Sequence, residues 1–141
     1  MEMKKNPTGY SKTHLARKLG IKEEFKIHLI GYPSHYFDLF ADYPDDVQIV
    51  KNPTPESLDF IHLFCTSLKE LMRLSAKFKP LLKKSGMLWI SWPKGKSSIA
   101  TDLKRDMIRE YLLENGLVDV KVAAIDEDWS GLKFVYRLTD R

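Results

Sequence analysis

The sequence predicts an α/β domain with a mostly parallel sheet, and the stretch 58–93 carries most of that prediction. In it, a nearly continuous apolar run, a capped amphipathic helix, a Ser-Gly stop and a second apolar run follow one another, which is the order of a βαβ unit. Strand-like and helical segments also alternate before it, and two alternating segments near the C-terminal end predict an antiparallel hairpin. We expect a single domain over residues 1–141, because this length suffices for one hydrophobic core.

The first part of the chain is predicted to contain short elements that end at glycine and proline. Residues 1–10 are expected to form a flexible lead, and residues 11–24 an N-terminal helical segment that Ser11 or Thr13 caps and Gly20 ends. The sheet is expected over residues 25–138. Its first elements are predicted as a strand over 25–30, a short helix over 34–41 and a short strand over 47–50.

The middle of the chain contains a helix with a clear start and an interrupted end. Ser67 and Glu70 have the spacing of a capping box, and apolar residues repeat at helical spacing as far as Leu82. Pro80 is expected to kink or split this helix, because its ring clashes with the preceding turn. The remaining predicted elements are a strand over 87–92, a helix that starts at Thr101 or Asp102 and ends at Asn115-Gly116, and two strands over 118–125 and 132–138.

Bulk composition limits the classes of protein that fit this chain. It is 43% hydrophobic and 30% charged with a net charge of +4, which is typical of a globular domain. No apolar run approaches the roughly 20 residues of a membrane-spanning helix, and no apolar segment follows the basic N-terminus as a secretory signal requires. The single cysteine, Cys65, cannot form an internal disulfide. We therefore expect a cytoplasmic protein with no membrane contact.

Positive charge is concentrated in two segments of the chain. Residues 1–26 contain seven Lys/Arg against three acids, and residues 67–110 contain eleven against four. Such faces attract nucleic acid or anionic metabolites, but no base-reading motif accompanies them. A helix-turn-helix that opens at Leu15 lacks a recognition helix, because a predicted strand follows. A nucleic-acid partner is therefore a secondary alternative.

The order of elements is similar to that of class I methyltransferases, which have a Rossmann-like, mostly parallel sheet closed by an antiparallel hairpin. The passage 81–90 (LLKKSGMLWI) looks like the helix-glycine-strand segment late in those enzymes. A closer resemblance is to a small bacterial family of unknown function with methyltransferase-like topology. The phrases that carry it are Gly9-Tyr10-Ser11, 15–21 (LARKLGI), Trp92-Pro93-Lys94, Ala100-Thr101-Asp102, 119–127 (DVKVAAIDE) and 129–135 (WSGLKFV). The resemblance implies a methyltransferase-like sheet, shortened by about one βα unit before Leu58, and no particular activity.

Three features of active methyltransferases are missing from this sequence. Their first strand ends in a glycine-rich turn against S-adenosylmethionine, whereas Gly31-Tyr32-Pro33 has one glycine and a proline. Their second strand usually ends in an acid that holds the ribose, whereas Lys51 follows Val50. Cys65-Thr66-Ser67 replaces the Asn/Asp-Pro-Pro-aromatic motif of amino-methylating members. We therefore expect no cofactor, with S-adenosylmethionine in a remodelled site as the alternative.

The candidate ligand site is the carboxyl edge of the predicted sheet, where open α/β sheets bind ligands. Lys94 and Lys96 precede a predicted helix whose free N–H groups favour an anion. We expect this anion near residues 94–101, in a crevice shared with the turn after the first strand and away from the acidic loop 126–128. The expected ligand contacts are Gly31, Tyr32, Pro33, Thr66, Ser67, Trp92, Lys94, Lys96, Ser97, Ser98, Thr101 and Trp129.

No set of residues in the sequence predicts catalysis or a resident metal. Residues 94–97 (KGKS) lack the first glycine of a Walker A motif, because Ile90 stands in its place. Neighbouring parallel strands could bring His28 and His62 together, but zinc would need further ligands, so we expect core or edge histidines with hydrogen-bonded rings. Cys65 is expected to be a buried, inert thiol, and the acids of loop 126–128 to be solvated.

The function that the sequence favours is that of a non-catalytic domain that binds a small anionic ligand or a protein partner at the carboxyl edge of the sheet. A methyltransferase with a remodelled cofactor site is the first alternative. A nucleic-acid-associated protein that uses the basic N-terminal segment and the lysines of residues 69–84 is the second.

Overall fold

A computed structural model describes residues 13–141, so the predicted lead of residues 1–10 and the candidate cap Ser11 lie outside the described residues. The helices are α1 (Leu15–Leu19), α2 (Leu68–Phe78) and α3 (Arg105–Glu114). The strands are β1 (Lys26–Ile30), β2 (Gln48–Ile49), β3 (Leu58–Phe64), β4 (Leu82–Pro93), β5 (Leu117–Ala124) and β6 (Trp129–Tyr136). Short 3₁₀ helices lie at Tyr36–Leu39, Lys79–Leu81 and Leu138–Asp140. None of the helices in this part of the chain has the length and apolar character needed to cross a membrane.

The six strands form one mixed sheet in the order β2-β1-β3-β4-β6-β5. The first four run parallel to one another, whereas β6 is antiparallel to both β4 and β5. The prediction of a mostly parallel sheet with a closing antiparallel hairpin is therefore confirmed. The second hairpin strand begins earlier than predicted, because Trp129 already pairs with Pro93 of β4.

The βαβ unit predicted from residues 58–93 is present, and its helix ends earlier than its apolar spacing suggests. The Ser67 Oγ accepts the Glu70 backbone N–H at 3.1 Å, and the Glu70 carboxylate accepts the Thr66 N–H at 3.0 Å. The α-helix ends at Phe78, and Pro80 lies in a 3₁₀ turn. Because β4 already begins at Leu82, the prediction that Leu82 belongs to the helix was wrong.

The start of α1 is held by a residue that is distant in sequence. The Asp42 carboxylate accepts the backbone N–H groups of Ala16 and Arg17 at 2.9 and 3.0 Å, which satisfies the free donors of the first turn. Thr13 pairs with Phe40 in an isolated bridge instead of capping the helix. Gly20 ends α1 as predicted, with a φ of 91°.

The start of α3 also differs from the prediction. The Thr101 hydroxyl donates to the Thr66 carbonyl at 2.6 Å and accepts the Leu103 N–H at 3.0 Å. The Asp102 carboxylate accepts the Leu68 N–H at 2.9 Å. These bonds tie residues 101–103 to the start of α2, so the helix begins only at Arg105.

The sheet buries both of its faces. On one face, which we call the α2/α3 face, Leu63 and Ile90 pack in a core with Leu71 of α2 and Ile108 of α3. On the opposite α1 face, a second core includes Leu15, Leu19, Phe60 and Trp89. The Trp89 indole N–H donates to the Leu19 carbonyl at 2.8 Å, which ties α1 to the centre of the sheet.

The two strand histidines lie on opposite faces, so they do not approach each other as a shared zinc site would require. His28 is opposite Ile61, and His62 is opposite Leu29. Cross-strand partners share a face, and successive residues of a strand alternate between faces, so this register separates the two rings. The His28 ring packs against Phe78 of α2, with centroids 5.1 Å apart.

Candidate functional site

The strand ends that the sequence placed together share one edge of the sheet. Because β1, β3 and β4 are parallel, the residues that follow them, Gly31, Cys65 and Lys94, lie at the same carboxyl edge. Trp129 joins this edge through its pairing with Pro93. We call residues 92–105 the open half of the edge and residues 31–43 the closed half.

The open half contains a cavity of about 650 Å³ between the loop after β4 and the start of α3. Lys94, Lys104 and Arg105 are the charged residues that line it, and no aspartate or glutamate does. Of the predicted contacts, the cavity brings together Trp92, Lys94, Ser97, Ser98 and Thr101. Sequence reasoning missed Lys104 and Arg105 because it placed them inside a helix, whereas they lie at its first residues.

Two hydroxyls that were expected to contact the anion already have protein partners. The Ser97 hydroxyl donates to the Asp128 carboxylate at 2.8 Å and accepts the Ile99 N–H at 3.1 Å. The Thr101 hydroxyl is bonded to Thr66, as described above. These two side chains therefore shape the loop, and the Lys94, Lys104 and Arg105 cations and Ser98 are left among the polar side chains that line the cavity.

The acidic loop 126–128 lies against the open half, next to the residues 94–101 where the anion is expected. The Asp128 carbonyl accepts the Lys94 N–H at 2.8 Å, and its carboxylate holds Ser97. Lys96 does not line the main cavity. It lines a separate one of about 400 Å³ with Lys94, Glu127 and Asp128.

The same loop separates the two halves of the edge. The Asp126 carboxylate lies 2.7 Å from His35 Nε2 and also accepts the backbone N–H groups of Asp128 and Trp129. Its side chain is only 3% exposed, so it is a buried bracing group rather than the solvated acid that was expected. Because the loop stands between them, the cavity at Lys94 is not lined by Gly31, Tyr32 or Pro33.

The closed half is filled by aromatic rings. Tyr36 is fully buried, and its ring lies edge-on to Tyr32, Phe37, Phe40 and Phe64, with centroids 5.2–5.8 Å apart. Gly31 has a φ of 71°, and a Cβ at this position would lie 2.8 Å from the Phe64 carbonyl oxygen. The turn after β1 is therefore pressed against β3.

A buried network of three polar side chains includes Tyr36 of the closed half. The Tyr36 hydroxyl lies 3.0 Å from His62 Nδ1, and His62 Nε2 lies 2.7 Å from the Ser91 Oγ. All three residues are fully buried, and burial lowers the pKa of His62 to about 3. The neutral ring donates through one nitrogen and accepts through the other, so each hydroxyl has a partner. Sequence reasoning missed this network because Tyr36 comes from a different element than His62.

The remaining predicted contacts lie outside the open cavity. Thr66 and Ser67 line a separate cavity of about 320 Å³ at the start of α2. Trp129 packs on Phe64, with ring centroids 5.0 Å apart. Cys65 is fully buried, as expected, and burial raises the pKa of its thiol to about 12. In residues 13–141, no group of three His, Cys, Asp or Glu side chains is arranged to hold a metal ion.

Comparison with known proteins identifies the fold. No family model matches the chain, and no curated protein is similar to it in sequence. A SAM-dependent methyltransferase from Aquifex aeolicus superimposes with a TM-score of 0.61 at 13% identity, over 85% of this chain and 86% of that one. A TehB-like SAM-dependent methyltransferase from Corynebacterium glutamicum gives 0.56 at 11% identity, over 88% and 86%. The fibrillarin pre-rRNA processing protein of Methanococcus jannaschii gives 0.53 at 19% identity, over 91% and 70%. The chain therefore has a class I methyltransferase-like fold.

The residues at the closed half do not fit S-adenosylmethionine in the manner expected for this fold. β2 ends at Ile49, which pairs with Ile27 of β1. Because β1 continues as far as Ile30, a residue that follows β2 does not reach the carboxyl edge of the sheet. The carbonyl of Val50 is bonded to His28 Nδ1 at 2.6 Å instead. Neither a ribose-binding acid nor an open glycine turn has a counterpart here.

Proposed function

We propose that this chain is a non-catalytic domain with a methyltransferase-like fold, which binds a small anionic ligand in the cavity of the open half. The observation that carries this proposal is the charge of the lining, because three cations and no acidic side chain line a cavity of about 650 Å³. A cleft of one sign of charge raises the local concentration of counter-ions, and the Arg105 guanidinium suits a carboxylate or a phosphate.

The contrast with the closed half supports the non-catalytic part of the proposal. In methyltransferases of this fold the cofactor lies at the turn after the first strand and at the end of the second strand. Here aromatic rings fill the region of the first turn, and β2 ends before the carboxyl edge. Cys65, the one thiol, is buried with a raised pKa, which disfavours a nucleophilic role.

We also propose a family and a cellular location for the chain. We assign it to the small bacterial family of unknown function whose phrases it shares, and to the cytoplasm, where a lone buried cysteine is stable. A protein partner at the same edge is the second candidate, because Tyr32 and Phe37 of the closed half are 44% and 37% exposed.

Isothermal titration of the protein with citrate and with inorganic phosphate at low salt tests the anion site. We expect saturable binding of at least one of them, and a Lys104→Ala/Arg105→Ala double variant should weaken it by about tenfold or more. Lys96→Ala is the matched control, since this lysine lies outside the main cavity. Failure of both probes, or equal binding by the double variant and the parent, would contradict the proposal.

Titration with S-adenosylmethionine and S-adenosylhomocysteine tests the alternative. We expect no saturable binding at micromolar concentration, where the binding free energy would be around −8 kcal/mol. Micromolar binding would favour a methyltransferase with a remodelled site. We also expect nucleic acid to bind little at physiological salt, where exposed charges are screened over roughly 8 Å. A sequence-specific shift under those conditions would favour a nucleic-acid-associated protein.

A further inference from the structure

A group of lysines lies on the α1 face, around Lys133, which is four residues along β6 from Trp129 at the carboxyl edge. Lys121 of β5 and Lys133 of β6 are cross-strand partners, so their side chains share a face. Lys133 Nζ lies 3.8 Å from the position of a Cβ built on Gly20, and Lys121 Nζ donates to the Lys18 carbonyl at 2.8 Å. Lys22 lies two residues after Gly20, and its charge acts on Lys133, so Lys22, Lys121 and Lys133 form what we call the lysine cluster. Lys18 flanks it.

The lysine cluster forms no ion pair with a carboxylate among the described residues. The ion pairs of residues 13–141 involve His14, His35, Lys83, Arg105 and Arg109, and no member of the cluster lies within 4.0 Å of a carboxylate of these described residues. Lys121 and the flanking Lys18 reach only backbone carbonyls, those of Lys18 and Ala124. None of the three lysines is therefore held in an ion pair with a described carboxylate, although Glu23 and Glu24 follow Lys22 in the chain.

Lys133 occupies a position where a charge is unfavourable for the free protein. It is opposite Trp89, which is fully buried under α1, and it is itself only partly exposed. Burial lowers the pKa of Lys133, and the charges of Lys121 and Lys22 lower it further. Methionine or leucine would fill this place beside Met87 without that cost. A cluster of positive charges that destabilises the free protein and lies at an accessible surface is a candidate binding site for an anion.

We propose that the lysine cluster is a second anion site, which binds a compact oligophosphate. Lysine ammonium groups act as point charges that match the many oxygens of adjacent phosphates, whereas planar carboxylates favour the arginine fork. Among the described residues, the aromatic side chains that are largely exposed, Tyr32 and Phe37, belong to the closed half, and Phe25 near Lys22 is only partly exposed, so the described chain offers no largely exposed ring beside the cluster for a base to stack on. We therefore assign the site to free oligophosphate rather than to nucleic acid.

The test is isothermal titration with sodium tripolyphosphate at low salt. Lys22→Glu should weaken binding by about tenfold, because it places a negative charge in the cluster. Lys69→Glu is the matched control, since it makes the same charge change on the exposed surface of α2, near Arg73. The Lys104→Ala/Arg105→Ala variant should bind tripolyphosphate at this site as the parent does, which separates a failure here from a failure of the cavity in the open half.

A second variant distinguishes a binding role of Lys133 from a structural one. Lys133→Met should weaken tripolyphosphate binding and at the same time raise the midpoint of urea unfolding, because it removes a partly buried charge. A lower midpoint with unchanged binding would overturn the proposal. So would equal binding by Lys22→Glu and Lys69→Glu, or no binding of tripolyphosphate. Tighter binding of a 20-base-pair DNA duplex than of tripolyphosphate, sensitive to Lys22→Glu, would reassign the cluster to nucleic acid.

Discussion

The two halves of the carboxyl edge come from the same parallel sheet and have opposite character. In the closed half, Gly31 is pressed against the Phe64 carbonyl, and Tyr36 is fully buried among other rings. In the open half, the loop after β4 leaves a cavity bordered by cations, and a Cβ on Gly95 would meet no atom within 4 Å. The fold determines where strand ends meet, but side chains determine which half leaves room for a ligand.

The difference between the halves follows from how each is connected. The closed half lies in a short crossover, where the chain passes from β1 through one 3₁₀ helix to a two-residue strand. The aromatic rings there supply the packing that a longer helix provides elsewhere. In the open half, residues 94–104 connect β4 to α3 and are held by side-chain bonds to Thr66 and Asp128, so the loop can stand away from the sheet.

The largest effect on stability should come from a glycine-to-alanine substitution in the closed half, compared with the same substitution in the open half. Gly31→Ala should destabilise the protein by about 3 kcal/mol, because it combines a positive φ with a contact of 2.8 Å to backbone. Gly95→Ala, the matched control, should change stability by less than about 0.5 kcal/mol. Urea unfolding followed by tryptophan fluorescence measures both. Equal losses would mean that the two turns are equally constrained and that the comparison is wrong.

The next effect concerns two tyrosine hydroxyls of the closed half. Tyr36→Phe should cost about 1–3 kcal/mol, because it leaves His62 Nδ1 buried without its partner. The Tyr43 hydroxyl is also buried but has no hydrogen-bond partner among the described residues, so Tyr43→Phe should be neutral or stabilising. Urea unfolding followed by tryptophan fluorescence measures the stability of both variants. A neutral Tyr36→Phe would show that the Tyr36–His62–Ser91 network does not support the closed half.

The fold was predictable from the sequence where local signals agree with one another. The apolar run over Leu58–Phe64, the Ser67–Glu70 cap and the next strand each predicted the same βαβ unit, and the parallel order followed. The errors lie at ends that long-range bonds determine. Asp42 caps α1 from across the fold, and the Thr101 bond to Thr66 delays the start of α3.

Only the location of the candidate site, at the carboxyl edge of the sheet, could be predicted from the sequence. Strand direction places Gly31, Cys65 and Lys94 together, and this needs no knowledge of side chains. The division of the edge depends on the contact of Asp126 with His35 and of Asp128 with Ser97, which join segments far apart in sequence. A one-residue difference in register likewise placed His28 and His62 on opposite faces.

The pH dependence of stability tests the buried network without a mutation. The folded-state pKa of His62 is lowered to about 3, below its ordinary value of 6.5. His62 therefore contributes stability that is fully present above pH 6.5 and is lost as the pH falls toward 3, at about 1.4 kcal/mol per unit. Between pH 7 and pH 5 we expect a loss of about 2 kcal/mol in urea unfolding. The imidazole signals of His62 should not shift over this range in NMR spectra, and a titration there would contradict the burial argument.

The smallest effect on stability should come from the open half, where the cations are available for a ligand. The Lys104→Ala/Arg105→Ala variant should unfold within about 0.5 kcal/mol of the parent, because both side chains are exposed and the ion pair of Arg105 within residues 13–141 is a 3.6 Å contact with its neighbour Asp106. In 0.1 M citrate the parent should gain more stability than the variant, since a ligand that binds only the folded state shifts unfolding in proportion to its occupancy. A large loss without ligand would show that these cations stabilise α3 itself. Equal gains in citrate would mean that the open half, like the closed half, is only structural.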